Sequence, residues 1–126
     1  GVKIRVIAAP DLPALKADPV LLTQVLLNLM LNGLQAMPEG GTLTLEAKTS
    51  NSDFLIAVTD TGTGIPAENQ RRIFEPYFTT KTKGTGLGLA ISRRIVEAHG
   101  GTITAANEKA GGCRFEICLP LYGAQV

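Results

Sequence analysis

Residues 81–91, KTKGTGLGLAI, set Gly84, Gly86 and Gly88 at alternate positions directly before a segment whose pattern is helical over 87–99. Glycines let a backbone come close to a ligand and turn without a Cβ penalty, and the unpaired N–H groups of a helix start point toward negative charge. Lys81 and Lys83 stand where they can add full positive charge. The chemistry this stretch suits is therefore the binding of a phosphate-like anion. A glycine pattern alone is weak evidence and takes its meaning from what accompanies it.

Two other polar sets accompany it. Gln24, Asn28, Asn32 and Gln35 fall at spacings of four, four and three, which is one narrow stripe of a helix. A stripe that merely faced solvent would ordinarily carry Lys and Glu, whereas this one carries only amides, good ligands for a cation or a phosphate. Asp60 closes a strand-like run and is followed at once by TGTGIP, so a carboxylate sits at the edge of a glycine turn. The competing reading for Asp60 is an Asx side chain that stabilises the turn. Gly62, Gly64 and Ala67 also fit the dinucleotide pattern GxGxxA after a strand. Pro66 interrupts that turn, and an aromatic loop follows where the dinucleotide fold needs a second parallel strand ending in an acid.

These residues need elements to hold them. Val2–Ala8 alternates apolar with basic side chains, the pattern of a strand with one face buried, and Pro10 and Pro13 end it. Asp18 and Pro19 read as the N-cap and first residue of a helix that runs to about Met37 and is closed by Pro38, Gly40 and Gly41. That helix is apolar nearly all round, which predicts burial on most sides. Residues 42–48 and 54–60 read as a hairpin across the turn-rich residues 49–53, and residues 67–74 as a short helix after Pro66. Phe74, Tyr77 and Phe78 in FEPYFTTK suggest a packed hinge. The helix 87–99, capped by Gly100, precedes strands at 102–106 and 113–119.

The 126 residues suit one domain with one core. With 44% hydrophobic and 18% charged residues the chain belongs among globular proteins, and a net charge of +1 argues against a protein that coats nucleic acid. Cys113 and Cys118 lie an odd interval apart on one strand, so their side chains point to opposite faces, and reduced buried thiols are expected. A single histidine and the lack of a CxxC pair leave no metal-ligand spacing. No run has the length of a membrane span, and no signal pattern opens the chain, so a cytoplasmic location is expected. Beginning at Gly1, already inside a strand, the chain reads as a fragment of something longer.

In order and spacing these pieces resemble the ATP-binding catalytic domain of bacterial sensor histidine kinases, a branch of the superfamily that includes gyrase, mismatch-repair and heat-shock chaperone ATPases. The resemblance rests on QVLLNLMLNGLQAM at 24–37, DTGTGI at 60–65, FEPYFTTK at 74–81 with GTGLGL at 84–89, and IVEAHGG at 95–101, and it covers essentially the whole chain. It implies an α+β fold: a two-layer α/β sandwich with a mixed, mostly antiparallel sheet of about five strands packed on three helices. It further implies that Asn32 ligates Mg²⁺ between the nucleotide phosphates, with Asn28 helping one turn earlier. Asp60 would accept from the adenine amino group, which selects adenine over guanine, while Gly62 and Gly64 let the backbone pass the base, with Ile65 and Tyr77 in the same nucleotide site. Gly84, Thr85, Gly86, Leu87 and Gly88 would meet the phosphates, and Lys81 would add charge from a short lid. Asn28, Asn32 and Lys81 are the implied catalytic residues.

The implied reaction is transfer of the ATP γ-phosphate to a histidine on a separate helical dimerisation domain, then to the receiver domain of a response regulator. The isolated domain would be a monomer and the full-length protein a homodimer. His99 reads as a packing and capping residue rather than that acceptor. Three departures matter: Gly33 stands where the family usually has alanine, Cys113 and Arg114 where many members carry Thr-Thr, and Asn28 where the hydrolytic branches have a glutamate base. An amide cannot act as that base, so slow intrinsic hydrolysis is expected. The same residue argues against a serine kinase of the anti-sigma-factor type, and Asn32, Asp60, Lys81 and the glycines argue against a non-catalytic interaction module.

Overall fold

The computed structural model describes residues 1–70, 72–75 and 88–121. Its elements run β1 (Val2–Ala8), α1 (Pro19–Gln35), β2 (Gly41–Ser50), β3 (Asp53–Thr59), α2 (Gly88–Ala98), β4 (Thr102–Asn107) and β5 (Cys113–Pro120), with a 3-10 turn at Ala67–Asn69 between β3 and α2. One sheet holds all five strands in the order β1-β2-β3-β5-β4. β1 pairs parallel with β2, and every other pair is antiparallel. A parallel pair needs a crossover, and α1 supplies it. The α+β sandwich with a mixed, mostly antiparallel sheet is thus the fold the resemblance implies.

Alternation decides which face carries the core. Leu43 on β2, Phe54, Ile56 and Val58 on β3, and Phe115, Ile117 and Leu119 on β5 share the side on which the helices lie, and all are buried. From α1 they receive Val25 and Leu29, and from α2 Ile95 and Val96. Phe74 meets Phe115 edge-on at 6.1 Å between ring centroids, so this end of the aromatic stretch is packed as its composition predicts. The opposite face of the sheet carries Glu46, Arg114 and Glu116, where Arg114 bridges both acids at 3.5 and 3.1 Å over the buried Ala57.

Helix ends form as the sequence predicts. The Asp18 carboxylate accepts from the N–H groups of Val20 and Leu21, at 2.9 and 3.1 Å, ahead of Pro19. At the end of α2, Gly101 N–H bonds to Val96 O and Gly100 N–H to Glu97 O, both at 3.0 Å, with Gly100 at φ +78°. That is a Schellman closure with glycine in the left-handed position.

Four expectations change. α1 is not buried on most sides: Val25, Leu29 and Gly33 are buried, but Val20 is 74% exposed and Leu27 and Leu31 also face outward. One helix lying on one face of one sheet can bury a single stripe, however apolar the remainder. β1 does not bury a face either, since Ile4 and Val6 are 55% and 69% exposed. Both lie on the helix side of the sheet, opposite Leu43 and Leu45, but α1 sits over β2 and β3, and among the described residues only Val2, at the start of the edge strand, packs against the core from β1. The helix expected over 67–74 is a single 3-10 turn at Ala67–Asn69, followed by i→i+3 bonds from Arg72 to Asn69 and from Glu75 to Arg72. The two α-helices among the described residues are α1 and α2. The hairpin turn is shorter than expected, with Asn51 at φ +58° between β2 and β3.

Candidate functional site

Among the described residues only two polar side chains are buried, Asp60 at 3% exposure and Ser92 fully. Each touches a residue that the sequence singles out, and between them they mark the two ends of a site running along α1. At one end, just beyond β3, Asp60 Oδ1 accepts from Gly62 N–H at 2.9 Å and from Cys113 N–H at 3.3 Å. The backbone continues the clamp, with Asp60 N–H donating to Cys113 O at 2.9 Å. This answers the departure at 113–114. The contact made from that position is a backbone N–H, indifferent to the side chain, while Arg114 points to the far face of the sheet.

Asp60 lies against α1 because α1 is cut away there. A Cβ on Gly33 would come 2.7 Å from Leu43 Cδ1 and 3.4 Å from Asp60 Cβ. The missing methyl therefore sets the helix-to-sheet distance, the closer packing that offsets about 1 kcal/mol of lost helix propensity. Gly62 serves the same end, since a Cβ there would collide with the Ala36 carbonyl at the C-terminus of α1. Thr63 N–H bonds to that carbonyl at 3.3 Å. The Asp60 turn is thereby docked on the C-terminal end of α1, with Gly33, the residue after Asn32, against Asp60 itself.

Gly64 and Ile65 are fixed from the opposite side. Asn107, at the end of β4, accepts from Ile65 N–H at 2.8 Å and donates to Ile65 O at 2.7 Å. Its amide pairs with this residue as a neighbouring strand would.

At the other end Asn28 faces the start of α2. Its Nδ2 donates to Gly88 O at 3.4 Å and to Ser92 Oγ at 3.3 Å. Gly88, the last glycine of the anion-binding pattern, is thus next to the first asparagine of the amide stripe. The amide nitrogen of Asn28 is committed to α2, so the group it has left to offer is its carbonyl oxygen, the donor type a hard cation takes. Of the stripe, Asn28 and Asn32 are half-buried on the side toward the site, and Gln24 and Gln35 are exposed.

Tyr77, Lys81, Gly84, Thr85, Gly86 and Leu87 lie outside the described residues, as do Phe78 and Lys83. His99 is far from both ends of the site in role. Its Nδ1–H donates to Ile95 O at 2.8 Å and its Nε2 accepts Asp18 N–H at 3.1 Å, which ties the end of α2 to the cap of α1. Both cysteines are free. Cys113 is in the core, where burial first and the Asp60 charge second push its thiol up to about 12. Cys118, on the other face and half-buried, is raised by burial and by Asp53. Neither is a thiolate nucleophile at neutral pH.

Sequence reasoning missed Ser92 and Asn107. Ser92 carries a legible signal, a small polar residue four positions after Gly88 and hence on the same helix face. Asn107 carries none, because its partner is 42 residues away.

A two-layer fold with an amide pair on α1, a buried aspartate at the strand end and a glycine-led second helix defines a class. The chain belongs to the histidine kinase-, DNA gyrase B- and HSP90-like ATPase family, whose model matches residues 17–123. It is 49% identical over 120 residues to the sensor histidine kinase ZraS of Escherichia coli O157:H7, an alignment covering 95% of this chain and 26% of that protein. It is 43% identical over 112 residues to the signal transduction histidine-protein kinase AtoS of Escherichia coli K12, covering 88% of this chain and 18% of AtoS. The chain thus spans about a quarter or less of these relatives. The catalytic domain of histidine kinase ThkA superposes with a TM-score of 0.87 at 35% identity, over 95% of this chain and 79% of that one. Full-length ShkA in complex with AMPPNP superposes with a TM-score of 0.85 at 34% identity, over 95% of this chain and 26% of that one. No helix among the described residues is long and apolar enough to cross a membrane.

Proposed function

We propose that residues 1–126 form a single ATP-binding catalytic domain of a two-component sensor histidine kinase, which delivers the γ-phosphate of ATP to a histidine on a separate helical domain of the same protein. What supports this most directly is the juxtaposition on α1 of a carbonyl-presenting Asn28 beside Gly88 with the buried, doubly clamped Asp60 beside Gly33. Asp60 accepts from the adenine amino group where the backbone of Gly62, Gly64 and Ile65 passes the base, and Tyr77 is assigned to the same nucleotide site. Asn32, with Asn28, holds Mg²⁺, which when bound neutralises phosphate charge. The glycines from Gly84 to Gly88, with Thr85 and Leu87, offer N–H groups to the phosphates, and Lys81 adds a full charge. Catalysis here is positioning and charge neutralisation, with the bond to ADP breaking as the bond to the imidazole nitrogen forms. The AMPPNP bound by full-length ShkA is consistent with a nucleotide in this fold.

The partners under this proposal are the histidine-bearing domain, within a homodimer, and a response regulator receiver domain. The domain works on the cytoplasmic side, and alone it is monomeric. Calorimetry tests the nucleotide site: ATP binds in the presence of Mg²⁺, GTP binds at least about tenfold more weakly, and hydrolysis by the isolated chain is slow. No ATP binding with Mg²⁺ present would overturn the proposal. Joined to its upstream helical segment, the chain becomes labelled from γ-phosphate-labelled ATP in an acid-labile form.

A further inference from the structure

Asn28 is half-buried with its Nδ2 at hydrogen-bond distance from two groups of α2, Gly88 O and Ser92 Oγ. A backbone carbonyl can only accept, so the nitrogen side of the amide must face α2 and Oδ1 must face away from it. The bond to Gly88 is long at 3.4 Å and reaches the first residue of α2, where a helix frays most readily. Ser92 lies one full turn further in, fully buried, and its hydroxyl gives the amide nitrogen a second partner inside the helix, away from its end. Ser92 and Asp60 are the two buried polar side chains among the described residues, and a hydroxyl with no exposure is retained in a core only where it has a partner to satisfy.

We infer that Ser92 is a positioning residue of the metal–nucleotide site: it locks the Asn28 amide so that Oδ1 is permanently presented toward the phosphate-bound cation, and it couples α2 to that oxygen. The assignment rests on the nucleotide-site reading above. It also gives a physical reason for an amide at position 28. A carboxylate there would set an oxygen against the Gly88 carbonyl and could donate to neither partner. In Ser92→Ala the amide nitrogen keeps only its long contact to Gly88 O, the amide rotates about χ2, and the nitrogen spends part of its time where the oxygen belongs.

Two measurements on the intact chain test this. Without nucleotide, nuclear magnetic resonance should show the Asn28 side-chain N–H pair protected from solvent exchange in the wild type and in Ser92→Thr, which keeps the hydroxyl, and unprotected in Ser92→Ala. With AMPPNP in calorimetry, the ratio of affinities with and without Mg²⁺ should fall about threefold to tenfold in Ser92→Ala. Affinity without Mg²⁺ should stay within about twofold, and Ser92→Thr should restore the ratio. An unchanged ratio in Ser92→Ala, or an equal loss with and without Mg²⁺, overturns the assignment while leaving the nucleotide site intact. A wild-type chain that binds no AMPPNP under either condition overturns the functional reading and this assignment together.

Discussion

Asp60 gives a clean separation of folding from binding. Its Oδ1 takes the Gly62 and Cys113 N–H groups, and an asparagine carbonyl can take both. Asp60→Asn should therefore stay folded, with a thermal midpoint near wild type, while its adenine-nucleotide affinity drops by at least about tenfold, because a donor replaces an acceptor and loses the contact to the amino group. Unchanged ATP affinity by calorimetry would remove Asp60 from the adenine site. Cys113 makes a prediction in pH. Burial raises its thiol from 9.0 in a free chain to about 12 in the fold. Below the lower value the thiol is neutral in both states and costs nothing. Between about 9 and 12 the unfolded chain ionises first, so stability declines with rising pH by up to about 1.4 kcal/mol per unit. Urea unfolding from pH 8 to 11 should show a steeper alkaline decline in wild type than in Cys113→Ala; parallel curves would contradict it.

At the scale of elements, the site depends on how α1 and α2 are pinned to each other. The two meet at Asn28, Gly88 and Ser92 at one end, and at His99 and Asp18 at the other. His99 spans the second junction in one tautomer, donating from Nδ1 to Ile95 O and accepting at Nε2 from the N-cap residue's own N–H. His99→Ala should cost about 1–2 kcal/mol in urea unfolding, since it strips the Asp18 N–H of its partner and opens a gap at the helix end. If stability is unaffected, the tie does not matter. The Asn107 pairing with Ile65 is the corresponding device on the sheet side. It holds the Gly64–Ile65 backbone from β4 just as α1 holds Gly62.

For the molecule as a whole, among the described residues, one sheet face and two helices make a single core that covers β2, β3, β5 and, through Ile103, β4, and leaves most of β1 exposed. Position within the sheet should therefore outweigh residue type in mutational cost. Ile117, fully buried on β5, should lose about 2–5 kcal/mol as Ile117→Ala. Val6, an equally good strand former but 69% exposed on the edge strand, should change stability by about 0.5 kcal/mol or less as Val6→Thr. Comparable costs at the two positions, measured by denaturant unfolding, would mean that β1 is covered in solution.

Local chemistry wrote much of this protein legibly. Asp18 with Pro19, Gly100 after the second helix, the alternation of strands and the amides four residues apart all act through neighbours within one or two turns, and each appears where its spacing predicts. What the chain could not reveal is which surfaces meet. The apolar residues of α1 and β1 look like core in sequence, yet a single sheet face can accept only one stripe from each helix and does not extend under the helices to its edge. The glycine at 33 reads as a propensity cost until Leu43 and Asp60 are found where its Cβ would be. The site follows the same division. Residue types and order singled out Asn28, Asn32 and Asp60 as candidates. Only tertiary structure could turn the Asn28 amide by setting Gly88 and Ser92 against its nitrogen, and only it could bring Asn107 to Ile65, because hydrogen bonds between distant segments leave no period in a sequence.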